Sequence, residues 1–571
     1  MAAWLSPVAR ELSQVYPQAL ADEALAGLRA VAERSAGRAA RARGPLVPGD
    51  CLLSAYPDHV TARGEAPLAT LRGVVDDQLS DLVTGVHLLP FYPWSSDDGF
   101  AVKDYRAVEG RYGTWPDVSA FAERYRLMVD LVLNHASAES GWFRAFREGA
   151  PAFRSRFLTV EGEPDLGAVV RPRTSPLLTE VETADGPRRV WTTFGPDQVD
   201  LNYGDPGTLI DMVDILLGYV ARGAEMVRLD AVAFLWKEPG TSCVHRPQTH
   251  AILRLLRAMI DALAPGVRLV TETNVPHADN VAYLGAGDDE AHLVYNFALP
   301  PLVLHTLETG DAGALSAWAG ELTAPSGQAT YLNFLASHDG IGLNPVRGLL
   351  DELAIARLVA RCEAHGGRVS YRSDPGGRAL PYELNINYFD ALSAPGAGEP
   401  DEAVRRFLCA HAVAMAMVGV PLLYLPSAIG SRGWPAGVSR TGQARAINRE
   451  KLRRDELLAE LALTDGRRRR VRDGLSALRA ARAASAAFDP YGRQEVMDCG
   501  RGNFAIRRGN RDRTAAAVCV HNVTSSPLAV HGGGLGAFGK RDLVTGRRLE
   551  VRADGRLTLG PFEYVWWSAD G

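Results

Sequence analysis

The hydrophobic positions of this 571-residue chain fall into short apolar runs separated by longer amphipathic stretches. Short runs rich in Val, Leu and aromatic residues predict buried strands, and stretches with apolar residues three and four positions apart predict helices. The eight strand-like runs are Cys51–Tyr56, Gly85–Pro90, Leu127–Asn134, Glu225–Asp230, Arg268–Glu272, His292–Phe297, Tyr331–Asp339 and Val420–Leu425. Eight parallel strands alternating with helices can close a barrel, so we predict an α/β protein with a (β/α)8 TIM barrel.

Segments outside this alternation predict additional parts around the barrel. Two connections are too long for simple loops and predict inserted loop domains, and short alternating runs such as Ala515–Val520, Leu543–Leu549 and Phe562–Trp567 predict a C-terminal antiparallel β domain. The predicted parts are a helical N-terminal arm (1–45), the barrel (46–136 and 206–487), an inserted domain (137–205), a second insertion (340–400) and the β domain (488–571).

Composition and charge narrow the possible functions. The net charge is −5 with acids and bases interspersed, which gives no basic footprint for nucleic acid, and we interpret Arg467–Arg470 as a solvent-exposed helix face. Six cysteines without a CxxC pair predict reduced thiols, and the absence of a signal-like N-terminus or a long apolar run predicts a cytoplasmic protein without a membrane span. Gly534–Gly539 fits GxGxxG, but no helical pattern follows it, so we interpret it as a turn.

The predicted strands end in polar side chains, and in a β/α barrel these ends form the active face. Asp230 closes the fourth strand and Arg228 stands two residues earlier, so both side chains point to the same side. A neighbouring guanidinium favours the ionised carboxylate, which would make Asp230 a good nucleophile. A structural ion pair at a strand end is the alternative.

Two further carboxylates end the fifth and seventh strands. Glu272, one β/α unit after Asp230, would complete the pair of a retaining glycosidase, whose carboxylates lie about 5–5.5 Å apart; a helix N-cap is the alternative. His338 and Asp339 would bind sugar hydroxyls and a positively charged transition state. His135, after Asn134, is either a further ligand or a core histidine. A zinc site lacks partners at ligand spacing, and no P-loop is present.

Together these motifs resemble the α-amylase clan, glycoside hydrolase family thirteen. Its four signature regions appear in order, and an auxiliary region lies between the first two: Asp130–His135, Gln198–Asn202, Arg228–Asp230, Glu272 and His338–Asp339. The resemblance implies that Asp230 is the nucleophile, Glu272 the acid/base and Asp339 the transition-state stabiliser. Neither a cofactor nor a metal is expected in the chemistry, because Glu272 can protonate the leaving group.

Within the clan, the chain is similar to the sucrose phosphorylase group. The stretches that carry this similarity are Asp97–Phe100, Arg171–Arg173, Lys237–Cys243, Tyr382–Asn385 and Arg445–Arg449. The resemblance implies a glucosyl subsite that includes Asp97, His135 and Arg449, and it implies that Arg173 and Tyr382 hold phosphate or the acceptor. The other substrate-binding positions assigned on this basis are Tyr56, Phe100, Arg228 and His338.

The acceptor loop departs from sucrose phosphorylases, which carry Asp-Leu-Tyr-Gln where this chain has Leu380–Glu383. Three segments are instead similar in sequence to glucosylglycerate phosphorylases: Ala336–Gly342, Tyr382–Asp390 and Gly430–Arg432. We therefore assign Glu383 and Arg432 to the phosphate/acceptor site with Arg173 and Tyr382. The candidates for binding a glycerate carboxylate are Arg372, Arg378 and Arg432. The alternative is that they are arginines of surface loops.

The expected function is a retaining phosphorylase that converts 2-O-α-glucosylglycerate and inorganic phosphate into α-glucose 1-phosphate and glycerate. Its partners would be these small molecules, with no nucleic acid or membrane, and the enzyme would be a monomer or homodimer. The alternatives are a sucrose or glucosylglycerol phosphorylase, a hydrolase or transglucosidase of the same clan, and a catalytically silent carbohydrate-binding barrel.

Overall fold

A computed structural model describes residues 4–38, 42–373, 378–396, 400–531, 541–552 and 556–569. The predicted turn at Gly534–Gly539 lies outside the described residues, as does the middle of Arg372–Arg378.

Eight parallel strands form a closed barrel in which each strand pairs with its neighbours in sequence and the last pairs with the first. In chain order they are β1 (Leu52–Ala55), β2 (Gly85–Leu88), β3 (Arg126–Val132), β4 (Ala224–Asp230), β5 (Arg268–Thr271), β6 (Leu293–Tyr295), β7 (Thr330–Asn333) and β8 (Val420–Tyr424). Each predicted run contains or overlaps one of these strands, so the TIM barrel is confirmed. The strands are almost entirely buried, which explains their near-continuous apolar sequences.

Helices alternate with the barrel strands and pack around them. The α-helices are Leu5–Val15, Gln18–Ser35, Pro67–Val74, Trp115–Arg124, Gly141–Arg147, Pro206–Ala221, Pro247–Leu263, His277–Val281, Leu299–Thr309, Gly313–Gly320, Glu352–Ala364, Tyr388–Leu392, Pro400–Ala416, Leu425–Ala428, Pro435–Thr441, Arg454–Ala462 and Arg467–Ala483. The two N-terminal helices pack on Pro247–Leu263 and Pro206–Ala221, consistent with the predicted helical arm.

Both long connections contain small antiparallel sheets. The first holds the pair His135–Ser137 and Gln198–Asp200 and a three-stranded sheet of Thr159–Val160, Gly186–Trp191 and Leu178–Thr183. The second holds a three-stranded sheet of Ile341–Gly342, Ala379–Asn385 and Arg368–Ser373. Both connections leave the carboxyl ends of barrel strands, so they border the face on which the candidate site lies.

The C-terminal region is antiparallel, as expected. Its four-stranded sheet comprises Arg493–Met497, Asn503–Gly509, Ala516–Asn522 and Tyr564–Ser568, and Leu528–His531 pairs with Arg556–Leu559. The predicted strand at Leu543–Leu549 is wrong, because this segment forms a turn. The Asp542 carboxylate accepts hydrogen bonds from the backbone N–H groups of Val544 and Thr545, which holds the chain in the turn.

The interpretation of Arg467–Arg470 as a solvated face is also wrong in part. Arg469 is exposed and pairs with Asp473, but Arg468 is only 5% exposed and donates to Ser431 Oγ at 2.8 Å. Four consecutive helical residues cover more than one face of a helix, so a run of like charges cannot all lie on the outside.

The six cysteines carry free thiols and five of them are buried. Within the described ranges, no helix combines the length and the apolar composition needed to cross a membrane.

We expect Gly419→Ala to destabilise the barrel. Gly419 precedes β8 with a φ of +115°, and an added Cβ would lie 2.5 Å from the Tyr331 carbonyl oxygen of β7. The forced backbone conformation alone costs about 1–3 kcal/mol. Thermal unfolding should therefore begin at a lower temperature. The control is Gly64→Ala, which also has a positive φ (+78°) but no neighbour within 4 Å. Equal melting temperatures for the two variants would contradict the close contact.

Candidate active site

The three candidate acids converge at the carboxyl ends of their strands. Asp230 is the last residue of β4, Glu272 follows β5 directly, and Asp339 lies in the loop after β7. Leu229 pairs with Thr271 in the parallel register, so Asp230 and Glu272 stand side by side just beyond that pair. All three line one cavity. Its other lining residues are Asp97, Phe100, His135, Arg173, Phe194, Gln198, Ala231, Asn274, His338, Tyr382 and Arg445.

Arg228 connects the acids below the cavity floor. Its Nη1 donates to Asp230 Oδ1 at 2.8 Å and to Asp130, and its Nη2 lies 4.0 Å from Glu272 Oε1. Asp130 is held in turn by His87 Nε2 at 2.8 Å. The prediction that Arg228 and Asp230 point to the same side is confirmed. The guanidinium is 2% exposed, so its charge acts on the acids with little screening by water.

The protonation of Asp230 and Glu272 depends on more than Arg228. Burial raises the pKa of Asp230 well above its ordinary value, the Glu272 charge raises it further, and Arg228 opposes both. The expectation of a simply ionised Asp230 considered the guanidinium alone and omitted burial. Burial also raises the pKa of Glu272, and Asp339 adds to this effect. The two carboxyl groups titrate as a pair, in which the 2.8 Å bond to Arg228 favours the charge on Asp230 and the proton on Glu272.

Asp339 is in a different electrostatic environment. Burial raises its pKa, but Arg445, whose Nη1 lies 2.6 Å from Asp339 Oδ1, and further cations more than offset this and hold the pKa below its ordinary value. Burial lowers the pKa of the neighbouring His338 to about 3, so this ring is neutral at physiological pH. Phe100 stacks on His338 with ring centroids 4.8 Å apart. The site therefore presents a permanent carboxylate beside a neutral, oriented imidazole.

Asp97 and His135, two of the predicted glucosyl ligands, line the cavity. His135 Nε2 lies 3.2 Å from Gln198 Nε2, which donates to Asp97 at 3.4 Å. Gln198 enters the site through the auxiliary motif and was not predicted as a site residue.

Arg449 and Tyr56 lie directly behind the cavity lining. Arg449 Nε donates to the His338 carbonyl at 2.9 Å, and its guanidinium pairs with Asp98, not with Asp97. The guanidinium carbon lies 5.5 Å from the centre of the Tyr56 ring. Arg449 Nη2 and Tyr56 Oη are buried with no hydrogen-bond partner in the part of the chain that the structure describes.

On the acceptor side, the structure brings Arg173 and Tyr382 together. The Arg173 guanidinium lies 5.8 Å from the ring centres of both Tyr382 and Phe194, and it has no carboxylate partner among the described residues. Aromatic faces position a cation without neutralising it. Arg173 therefore presents an uncompensated positive charge to the cavity.

Glu383 and Arg432, both assigned to the phosphate/acceptor site, are not among the residues that line the cavity. Glu383 is 1% exposed and is held by Gly340 N at 2.7 Å and by Arg445. Side chains alternate along the strand Ala379–Asn385, so Tyr382 facing the cavity directs Glu383 away from it. Arg432 Nη1 bonds Asp390 Oδ1 at 2.7 Å. Arg372 and Arg378 are also absent from the cavity lining.

Arg445, Asn274 and Phe194 are lining residues that sequence reasoning missed. Arg445 could have been predicted from the sequence, because it is the first residue of the motif that ends in Arg449. Neither Asn274 nor Phe194 belongs to a strand end with its own signal. In the described ranges no cluster of three or more His, Cys, Asp or Glu side chains is arranged to hold a metal ion.

Comparison with known proteins identifies the family of this chain. Residues 14–317 match the family model described as "Alpha amylase, catalytic domain". A glucosylglycerate phosphorylase of Spirochaeta thermophila is 49% identical over 485 residues, covering 85% of this chain and 82% of the relative. The glucosylglycerate phosphorylase of Escherichia coli is 44% identical over 519 residues, covering 90% and 91%.

Among solved structures, the sucrose 6F-phosphate phosphorylase from Thermoanaerobacter thermosaccharolyticum superposes with a TM-score of 0.72 at 25% identity, covering 84% of this chain and 95% of that one. The resemblance inferred from the motifs is therefore confirmed at the level of the family. The chain belongs to the α-amylase family, in the group of its glycoside phosphorylases.

Proposed function

We propose that the enzyme is a retaining phosphorylase of 2-O-α-glucosylglycerate. The observation that carries the proposal is the placement of Asp230, Glu272 and Asp339 in one cavity with the uncompensated guanidinium of Arg173. The curated relatives named glucosylglycerate phosphorylases support the choice of glycerate as the acceptor.

In the first half-reaction, Asp230 attacks C1 of the glucosyl unit and the bond from C1 to the glycerate oxygen breaks. Glu272 transfers its proton to that oxygen, so glycerate leaves as a neutral alcohol at this position. Asp339, which stays ionised, stabilises the positive charge that develops on the sugar ring. The product is a β-glucosyl ester of Asp230.

In the second half-reaction, a phosphate oxygen attacks C1 from the face that glycerate has left, and the ester bond to Asp230 breaks. Glu272 takes up the proton of hydrogen phosphate and returns to its starting state. Two inversions at C1 give α-glucose 1-phosphate with retention of configuration.

Glycerate and phosphate would use the same cationic subsite in turn. Both are anions, and Arg173 is the cavity-lining guanidinium that no carboxylate compensates among the described residues. Arg445 also lines the cavity, but Asp339 and Glu383 neutralise its charge. Planar guanidinium groups bind carboxylate and phosphate oxygens in pairs. This arrangement favours glycerate over the neutral acceptors glycerol and fructose.

We place the reaction in the cytoplasm, a location that the six free cysteines support.

Product analysis tests this function. Purified enzyme is incubated in phosphate buffer with glucosylglycerate, sucrose or glucosylglycerol, and glucose 1-phosphate and free glucose are measured separately. We expect glucose 1-phosphate from glucosylglycerate, with little turnover of the other two donors. Free glucose as the main product would indicate a hydrolase, and a preference for sucrose or glucosylglycerol would overturn the assignment of the acceptor.

We expect Glu272→Gln to reduce phosphorolysis of glucosylglycerate by about 10²–10⁴-fold, the usual contribution of a general acid. The same variant should retain activity on α-glucosyl fluoride, because fluoride leaves without a proton. In the wild-type enzyme, activity on glucosylglycerate should fall as the pH rises through the raised pKa of Glu272. With α-glucosyl fluoride this alkaline fall in the first half-reaction should be absent. Equal losses on both donors would mean that Glu272 is not the acid.

A further inference from the structure

The loop that carries His338 and Asp339 is not held by regular secondary structure. It lies between β7 and the short strand Ile341–Gly342. In the part of the chain that the structure describes, the backbone groups of Ser337, His338 and Asp339 form no hydrogen bond to another backbone group. Buried backbone carbonyls need a hydrogen-bond partner, and here only side chains can supply it. The position of the loop therefore depends on the side chains that bind its carbonyls.

Asn448 binds two of these carbonyls at once. Its Nδ2 donates to the Ser337 carbonyl at 2.5 Å and to the Asp339 carbonyl at 3.0 Å. An amide nitrogen carries two hydrogens, so each carbonyl can accept one of them. Asn448 is 3% exposed, so bulk water does not compete for these bonds. Because the two carbonyls are two residues apart, one side chain fixes the backbone on both sides of His338.

The arginines on either side of Asn448 contact the same loop at other points. Arg445 Nη1 lies 2.6 Å from Asp339 Oδ1, and Arg449 Nε donates to the His338 carbonyl at 2.9 Å. The first contact holds the carboxylate of Asp339 and the second holds the backbone of His338. Asn448 is the member of this segment that binds the backbone of Asp339 itself, which sets the direction in which its side chain leaves the chain.

The other end of the Asn448 amide is energetically unfavourable. Its Oδ1 is buried without a hydrogen-bond partner among the described residues. Asn448 lines a mainly apolar pocket with Phe297, Phe334 and Ile386, and this pocket also borders Asp339. An unpaired buried acceptor costs about 1–3 kcal/mol, which an aliphatic side chain of similar shape would avoid. The N–H groups that bind the loop, and not packing, are therefore what an amide contributes at this position.

We propose that Asn448 is a positioning residue that fixes the backbone of Asp339 and so holds its carboxylate where it stabilises the transition state. Asn448 is not among the residues that line the cavity with the three acids, so it acts through Asp339 and not on the sugar. Displacement of a catalytic group by about 1 Å can cost a hundredfold in rate. This inference rests on the proposed function only for the role of Asp339.

Asn448→Leu tests the proposal, since Leu has a similar volume but no N–H group for the loop. We expect kcat on α-glucosyl fluoride to fall on the order of tenfold to a hundredfold, with little change in KM, because Asp339 acts on the transition state. The fall in kcat on glucosylglycerate should be similar, because both donors need the same stabiliser. A wild-type kcat, or a loss confined to one donor, would overturn the proposal.

Asn522→Leu is the matched control. Asn522 is buried in the β domain, and its Nδ2 likewise donates to backbone carbonyls, those of Ser526 and Gly560, both at 2.7 Å. This variant should have a lower melting temperature and a wild-type kcat. Equal falls in kcat for the two variants would mean that lost stability, and not the position of Asp339, causes the effect.

A second variant covers the case in which Asn448→Leu folds poorly. Asn448→Ser leaves a hydroxyl group, which can donate to only one of the two carbonyls. We expect kcat to fall on both donors, by a smaller factor than for a variant without any donor. Melting temperatures are measured first, and rates are compared well below them. A wild-type kcat for Asn448→Ser would overturn the proposal.

A double-mutant cycle tests the route through Asp339. In an Asp339→Asn background, Asn448→Leu should have little further effect on kcat, measured as release of fluoride from α-glucosyl fluoride. Additive losses in activation free energy would mean that Asn448 does not act through the Asp339 carboxylate. Wild-type turnover of glucosylglycerate and the single variant Asp339→Asn are measured alongside. A wrong acceptor or a wrong role for Asp339 is therefore distinguishable from a wrong role for Asn448.

Discussion

Asp230→Asn is expected to abolish turnover, with kcat on glucosylglycerate reduced by about 10⁴–10⁶-fold, as for other covalent nucleophiles. The amide cannot attack C1, and it removes one of the two carboxylates bound to Arg228 Nη1. The loss should be as large with α-glucosyl fluoride, because both donors need the same nucleophile. Steady-state rates with both donors, measured as release of glucose 1-phosphate or fluoride, give this result directly.

Asp465→Asn is the matched control, since Asp465 is exposed and does not line the cavity. It should have wild-type rates. If kcat of a correctly folded Asp230→Asn variant fell by less than about tenfold, Asp230 would not be the nucleophile. Its role would then be the alternative stated above, a structural ion pair with Arg228.

Arg173→Gln is expected to raise KM for phosphate in phosphorolysis and KM for glycerate in the reverse reaction. A hydrogen bond to a charged group contributes about 1.5–3 kcal/mol, which corresponds to roughly 10–150-fold in each constant. Fluoride release in the first half-reaction should change little, because the glucosyl unit does not contact Arg173 in this account. The preference for glycerate over glycerol should fall by a similar factor. Initial rates in both directions, with glycerol as the neutral acceptor, measure all of these quantities.

Arg144→Gln provides the comparison for Arg173, because it removes an exposed arginine of the same inserted segment that does not line the cavity. If Arg173→Gln raised KM for phosphate but not KM for glycerate, the two anions would use separate subsites. Unchanged KM values for both anions would remove Arg173 from the acceptor site.

The barrel could be predicted from the sequence because its strands combine apolar interiors with polar ends. Arg228, Asp230 and Glu272 belong to strands or follow them directly, so alternation along the strand and the order of strands fixed their neighbours. The structure of segments without such a regular pattern of apolar and polar residues was harder to predict. The turn at Leu543–Leu549 has strand-like composition, but the side chain of Asp542 decides its conformation.

The acceptor side shows why the remaining residues could not be assigned. The sequence alone does not distinguish the three arginines Arg173, Arg432 and Arg445. They differ in the side chains with which they form ion pairs in the folded protein. Asp390 neutralises Arg432 and two carboxylates neutralise Arg445, which leaves Arg173 as the candidate with an uncompensated charge among these three. Such pairings join residues far apart in sequence, so neither spacing nor composition reveals them.

Protonation is a second property that the local sequence does not determine. Arg228 beside Asp230 suggested an ionised nucleophile, but burial raises the pKa of both Asp230 and Glu272. The assignment of charge to Asp230 and proton to Glu272 follows from the unequal distances to Arg228, 2.8 Å and 4.0 Å. The burial of the two carboxyl groups and their distances to Arg228 depend on the assembled barrel and not on any one strand.

Trapping of the glucosyl-enzyme is the sharpest test of Asp230 as the nucleophile of a phosphorylase. The Glu272→Gln variant is incubated with α-glucosyl fluoride without phosphate, digested and examined by peptide mass spectrometry; a second sample receives phosphate before digestion. We expect one glucosyl unit on the peptide that contains Asp230, and its release by phosphate as α-glucose 1-phosphate, because phosphate is already ionised and needs less help from a base than water does. A glucosyl unit on another residue, or an intermediate that water releases and phosphate does not, would contradict the proposed mechanism.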